Sequence, residues 1–373
     1  MNIKLDCRYY TGYKPCGKSA ECENCEFYEP MGTSILIIKL AAMGDVLRTT
    51  PILTGLKRTY DPCHVTWITE RSALPMLTHN PYIDILNEFG LSEIIGILGA
   101  RFDLMLNFEK EPRSTGLAKL VNAEKKIGFA PTDYGTLNVY NEAARYSLEL
   151  GLSDPLKFEQ NTKTYPEIIY EMAEIPYQKD EYILHIDDEA KAFGRKFAAQ
   201  HQITDDDTVV GIHTGCGDVF RTKQWGIDNF TEFLRLITRE NDLKVLLLGG
   251  TRECDMNAEI LNRLNSSSLI NAGCENSLEQ FFALVDLCDI LVSLDSLAMH
   301  VGIGLKKKVI ALFGPTTHRE IELYGRGELI VSDLECVPCY RNTCDIHPSC
   351  MDAIKPEKVA EALHKQIKDR DHL

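Results

Sequence analysis

The feature that most constrains this chain is a rhythm that begins at Ile35. Short runs rich in aliphatic and β-branched residues alternate with longer stretches of helical period, which marks βαβ units and a mostly parallel sheet. Ile35-Leu-Ile-Ile-Lys39, Val65-Thr-Trp-Ile-Thr69 and Asp103-Leu-Met-Leu-Asn107 read as buried strands. Around residues 151–180 the strands lapse into a mixed segment holding Pro155, Pro166 and Pro176. The alternation then restarts with Thr208–His213, Lys244–Gly249, Asp289–Ser293 and Lys308–Phe313, separated by helical patterns such as Asn229 to Glu240. Lys355 to Lys368, with Pro356 in the first turn and Val359, Leu363 and Ile367 on one stripe, reads as a closing amphipathic helix.

Residues 1–30 have no such period, and Cys7, Cys16, Cys22 and Cys25 lie there among Gly, Pro, Lys and Glu. The expected organisation is a cysteine-rich extension (1–30), an N-terminal Rossmann-like domain (31–175), a C-terminal one (176–354) and the closing helix (355–373). Two such α/β domains in tandem present the carboxyl ends of their sheets to a cleft, where open sheets of this kind bind ligands.

Composition narrows the partners. A chain of 373 residues with 44 % apolar and 25 % charged side chains is a globular protein of two-domain size. Forty basic against 55 acidic residues leave a net charge of −15, a field that repels polyphosphate backbones. Nucleic acid is therefore excluded as a general partner, although a local basic pocket can hold a small anion. No run of apolar residues is long enough to span a bilayer, and the first residues lack a secretory apolar core, so a cytoplasmic protein without an integral membrane segment is expected.

Chemistry-bearing residues collect where strands meet helices. Gly44 and Asp45 follow the first strand, after Lys39. An Asp there either caps the helix or, being ionised at neutral pH, takes a proton from a substrate hydroxyl. In the second domain, His213-Thr-Gly-Cys-Gly217 and then Lys223-Gln-Trp225 offer small residues and a cation to a diphosphate, with Thr214 and Gly215 supplying amides. Glu253 follows Gly249-Gly250, where a carboxylate either bonds ribose hydroxyls or simply opens a helix. Asp295 and Ser296 end a strand and open a helix, and His300 lies one turn further on the same face.

Together these segments resemble glycosyltransferase family 9, the ADP-heptose:lipopolysaccharide heptosyltransferases of GT-B fold. The resemblance runs from about Ile35 to the C-terminal helix, more weakly between about 110 and 200. Lys39-Leu-Ala-Ala-Met-Gly-Asp-Val-Leu-Arg-Thr-Thr-Pro51 is similar to the family's opening segment, which implies that Asp45 is the general base. Lys223-Gln-Trp225 resembles a Lys-x-Trp whose Lys contacts donor phosphates, and Glu253 matches a ribose-bonding carboxylate. Asp295, Ser296 and His300 match a block that contacts the heptose and diphosphate, with Leu297 where the family usually has Gly. The implied reaction is inverting transfer of heptose from ADP-heptose to a lipopolysaccharide inner-core, related glycan or protein acceptor. It needs no catalytic metal, and the enzyme is cytoplasmic or peripheral at the inner membrane. Closure of the two domains would bring Asp45 to the donor.

The cysteines pose a separate question. Cys336, Cys339, Cys344 and Cys350 form one four-thiol set and Cys7, Cys16, Cys22 and Cys25 another, each containing a Cys-x-x-Cys. The spacing fits tetrahedral thiolate coordination of zinc or iron, and reduced thiols or disulfides are the alternatives. Some relatives, including an iron-binding branch that modifies autotransporter proteins, carry similar C-terminal sets. A metal- or redox-sensing binding protein that has lost its transferase chemistry is accordingly the competing reading. Cys63, Cys216, Cys254, Cys274 and Cys288 are dispersed and are expected to pack in the fold.

Overall fold

The computed structural model describes residues 3–19, 21–217, 219–239 and 243–368; Glu240, the expected end of one helical pattern, lies outside them, as do both chain termini. The chain divides into two compact units, Met1–Ser153 with Pro166–Asp180 and Asp154–Tyr165 with Glu181–Leu373.

The first unit contains β1 (Thr33–Ile38), α1 (Met43–Thr49), α2 (Ile52–Tyr60), β2 (Cys63–Thr69), β3 (Ile85–Glu88), α3 (Leu91–Gly99), β4 (Arg101–Asn107), α4 (Pro112–Leu120), β5 (Asn122–Pro131), β6 (Leu137–Val139) and α5 (Arg145–Leu150). Its six strands lie in the order β3-β2-β1-β4-β5-β6. Ile35 to Ile38 are wholly buried because β1 is central, pairing in parallel with β2 on one side and β4 on the other. Only β6 runs antiparallel. The β5 hinge at Gly128 (φ +93°) admits no side chain, since a Cβ would lie 2.1 Å from the Asn107 carbonyl oxygen.

After α5 the chain passes to the second unit and back. Residues 154–165 are held there by the Arg319 Nε–H donated to the Phe158 carbonyl (2.9 Å) and the Tyr165 amide donated to Glu320 (2.8 Å). With α6 (Tyr165–Met172) the chain returns to the first unit, where the buried Tyr170 hydroxyl bonds the Pro51 carbonyl (2.6 Å) and Asp180 (2.5 Å). The same hydroxyl accepts the Gly55 amide (3.2 Å), and Arg58 grips both Asp180 oxygens at 3.0 and 2.8 Å. The proline-marked segment is therefore this double crossing.

The second unit adds α7 (Asp188–Gln200), β7 (Thr208–His213), α8 (Ile227–Ile237), β8 (Leu243–Leu248), α9 (Cys254–Leu264), β9 (Leu269–Asn271), α10 (Leu278–Asp286), β10 (Ile290–Leu294), α11 (Leu297–Gly304), β11 (Lys308–Phe313), β12 (Gly327–Val331), α12 (Cys350–Ala353) and α13 (Pro356–Lys368). Its strand order is β12-β11-β10-β7-β8-β9, all parallel. Phe230, Phe233, Leu234 and Ile237 bury one face of α8, each large side chain contributing about 1.5–3 kcal/mol. Trp225 is fully buried edge-to-face on Phe230, and its indole N–H reaches the Ile354 carbonyl at 3.0 Å. That tryptophan fastens the loop before α8 to the segment leading into α13.

Candidate functional site

In each sheet one central strand has neighbours reached in opposite directions along the chain, and ligands of open α/β sheets bind beyond the carboxyl ends at that reversal. In the first unit the reversal falls between β1 and β4, in the second between β7 and β10. The chemistry-bearing residues sit at these two places.

Beyond β7, Thr214 is wholly buried and donates its hydroxyl to Asn257 Oδ1 (2.7 Å), while its carbonyl accepts Gln224 Nε2–H (2.8 Å). The Thr214 hydroxyl and carbonyl therefore hold its loop. Gly215 follows because Glu253 occupies the space a side chain would need: a Cβ there would lie 2.3 Å from Glu253 Oε1. Glu253 Oε2 accepts the Gly250 amide at 2.8 Å, which fixes the carboxylate over the turn before α9. His213 lines the same pocket edge-on to Phe281 (5.7 Å between centroids). Burial lowers its pKa, only partly offset by the Glu253 charge and the Gly215 backbone, so the imidazole is neutral at pH 7.

Beyond β10, the Lys223 ammonium donates to the Asp295 carbonyl (2.8 Å) and approaches its carboxylate (3.4 Å). Thr316 donates its hydroxyl to the same carboxylate oxygen at 2.8 Å. Ser296 is the N-cap residue of α11 and its hydroxyl meets that of Ser293 at 3.0 Å. His300 is buried one turn on, with its ring 6.1 Å from that of Tyr182. A pocket of about 270 Å³ opens among the ends of β7, β8 and β10, lined by His213, Gly250, Glu253, Phe281, Ser296 and Leu297 among others. Glu253 and Ser296 thus face one pocket, whereas Lys223, Asp295 and His300 are not among its lining residues.

In the first unit, Asp45 is the third residue of α1, after Gly44. Both readings of that aspartate find a counterpart: Oδ2 accepts the Ala42 amide (3.4 Å), as a capping carboxylate does, and Oδ1 pairs with Arg48 (2.9 Å). The side chain is 38 % exposed. Lys39 is buried against Glu109 Oε2 at 3.0 Å, and that oxygen also accepts the amides of Leu40 (3.3 Å) and Ala41 (3.2 Å). Lys39 therefore shapes the loop carrying Asp45. Its partner Glu109, just past β4, was not singled out in the sequence, nor was Asn257; each serves the site through a partner distant along the chain.

The clustered cysteines gather around two hollows, one in each unit. Among the described residues no group of three or more Cys, His, Asp or Glu side chains is placed to hold a metal ion. All eight clustered cysteines are free thiols: Cys7, Cys16, Cys22 and Cys25 line one hollow, and Cys336, Cys339, Cys344 and Cys350 line another. Cys350 is tucked into the start of α12 beside Gly314, while Cys336 and Cys344 are exposed on an irregular loop. That loop supports the Lys223 segment, with Thr222 Oγ1–H donated to the Arg341 carbonyl (2.6 Å) and Tyr340 stacked on Phe158 at 5.3 Å.

The sequence profile of glycosyltransferase family 9 (heptosyltransferase) matches residues 94–349. The chain belongs to glycosyltransferase family 9. Lipooligosaccharide heptosyltransferase 2 of Campylobacter jejuni is 25 % identical over 197 residues, 50 % of this chain and 59 % of the relative, so the chain spans about three-fifths of that protein's length. Two solved structures share the fold. The family 9 glycosyl transferase of Veillonella parvula superposes with a TM-score of 0.70 at 19 % identity, covering 90 % of this chain and 97 % of that one. The E. coli ADP-heptose lps heptosyltransferase II gives 0.66 at 18 %, covering 91 % and 100 %. The two Rossmann-like sheets of this family 9 chain are those of the GT-B class. No helix among its described residues is long and apolar enough to cross a membrane.

Proposed function

We propose that this chain is an inverting glycosyltransferase that moves a heptose from ADP-heptose to a lipopolysaccharide inner-core or related glycan hydroxyl. The observation that carries this reading is the arrangement at the β7/β10 reversal: a fixed carboxylate (Glu253), a helix opening at Ser296 and a cation (Lys223). A nucleoside diphosphate asks for these groups. Glu253 accepts ribose hydroxyls, neutral His213 and Phe281 border the nucleoside, and the Ser296 amide end of α11 faces diphosphate charge. Lys223 is pre-aimed by Asp295, so it neutralises the departing diphosphate without reorganising.

On the acceptor side, Asp45 removes the proton of the attacking hydroxyl. That oxygen displaces ADP from the face of the anomeric carbon opposite the leaving group, inverting its configuration. Arg48 keeps the carboxylate oriented, while the Lys39–Glu109 pair holds the loop in front of α1. The protein acts at the cytoplasmic side of the inner membrane, where a nucleotide sugar is available.

Calorimetry with ADP, UDP, GDP and NAD tests the donor class without knowledge of the acceptor. Selective ADP binding, weakened roughly tenfold (about 1.4 kcal/mol) or more in Lys223→Ala, is expected. A preference for UDP, or binding indifferent to Lys223, would overturn the assignment.

A further inference from the structure

Cys254 and Cys274 stand apart from both four-thiol sets. Cys254 is the first residue of α9, next to Glu253, and its thiol donates to the Gly250 carbonyl at 3.8 Å. Cys274 lies beyond β9 on the loop leading to α10, after Gly273 at φ +80°. The strands that deliver these loops, β8 and β9, are parallel neighbours, with Leu247 opposite Asn271 and the Ala272 amide bonded to the Leu247 carbonyl at 3.1 Å. The topology therefore sets the two cysteines on adjacent loops at one end of the sheet, near enough for Cys254 to act on the Cys274 thiol. Both are free and partly exposed, open to a small reagent. The same two loops both line the pocket beyond β7, Gly250 and Glu253 from one loop and Asn276 and Ser277 from the other.

We propose that Cys254 and Cys274 form a reversible disulfide, with a low-molecular-weight disulfide as oxidant, that locks together two walls of the pocket. Burial, then the contact with Cys254, pushes the Cys274 thiol up to about 12, so it is the poorer first nucleophile. The Cys254 thiolate attacks one sulfur of the small disulfide and expels the other as a thiol. Cys274, giving up its proton, then attacks the Cys254 sulfur and releases the second thiol. Two protein thiols are oxidised, one small disulfide is reduced to two thiols, and a reducing pool reverses both steps. The bridge fixes the spacing between Glu253 and the Asn276 wall, so a redox change at the pocket's rim is felt by the residue proposed to hold the ribose.

The test uses the full chain, incubated with oxidised glutathione and mapped as non-reduced peptides. The expected product joins the Cys254 and Cys274 peptides with loss of two hydrogens and is undone by dithiothreitol. Amide exchange at 249–253 and 273–278 should slow several-fold in the oxidised protein. Cys254→Ser and Cys274→Ser should each abolish both changes while leaving the reduced protein's exchange as it was. Glutathione adducts at both cysteines without a bridge would overturn the proposal. So would bridging confined to the 336–350 set, or a 254–274 bridge that leaves exchange unchanged. These readouts need no nucleotide. A change of about threefold or more in ADP affinity on oxidation additionally rests on the proposed function, and absence of ADP binding in the reduced protein would count against that reading alone.

Discussion

Replacing Gly215 by alanine isolates the geometry on which the donor site depends. An added Cβ would lie 2.3 Å from Glu253 Oε1 and 2.4 Å from its Cδ. The obstructing atoms are the far end of a flexible side chain, so a rotation of Glu253 relieves the clash and stability should fall by no more than about 1 kcal/mol. That rotation breaks the 2.8 Å bond from the Gly250 amide and removes the carboxylate from its fixed place. A hydrogen bond to a charged group contributes about 1.5–3 kcal/mol, so ADP affinity should drop roughly 10- to 150-fold. Titration calorimetry of wild type, Gly215→Ala and Glu253→Gln measures this, with urea melts reporting stability. The Gly249→Ala variant is the contrast, because its Cβ would lie 2.8 Å from Glu253 Cβ and 2.7 Å from Asn257 Nδ2, positions that no rotamer of Glu253 clears. It should destabilise the fold as well as the site. An ADP affinity within twofold of wild type in Gly215→Ala, alongside clear weakening in Glu253→Gln, would refute the claim that the missing side chain seats the carboxylate.

Asp45→Asn should retain ADP binding yet lower heptose transfer by about 10²–10⁴, the usual range for a general base, in a coupled assay of ADP release; undiminished transfer would remove Asp45 from that role. Tyr170→Phe should cost about 1–3 kcal/mol in urea unfolding, because the Gly55 amide loses the hydroxyl it donates to, Asp180 loses a donor and the Pro51 carbonyl keeps only the Thr54 amide. Asp180 is pushed upward by burial, but its hydrogen bonds from Arg58 and Tyr170 outweigh this and hold its carboxyl below the usual range. Its contribution is therefore complete above the unfolded value of about 3.9 and lost as pH falls through the folded one. Wild type should exceed Asp180→Asn in stability at pH 7, and the margin should shrink progressively as pH falls below about 3.9; a constant margin would contradict the assignment.

What could be read in the sequence, and what could not, divides along the range of the interactions. The buried runs that became β1, β2, β4, β7, β8, β10 and β11 were legible because central parallel strands are continuously apolar. β3, with Ile85 exposed, β6, with only three residues, and β12 are edge strands without that signature. The β12 run Gly-Glu-Leu-Ile-Val gains its strand from pairing with β11. At the site, Gly44-Asp45, Lys223, Glu253 and Asp295-Ser296 were visible because each follows a legible strand. Their supports were not. Glu109 meets Lys39 from 70 positions away and Thr316 reaches Asp295 across 21, distances over which no local pattern operates.

The cysteine sets were legible as spacing, but the contacts around them were not. The four C-terminal thiols do gather: burial first, then the nearby Cys339, Cys336 and Cys344, push the Cys350 thiol up to about 11. In the C-terminal set, the amides of Cys339 and Tyr340 both bond the Pro315 carbonyl (3.0 and 2.8 Å), and Tyr340 is stacked on Phe158 beneath the Lys157 ammonium. Ser349 caps α12, drawing Cys350 into a buried turn. These contacts orient the loop toward Thr222, one residue from Lys223. The four-thiol loop therefore also braces the segment that carries Lys223, the residue the proposed function sets against the donor diphosphate.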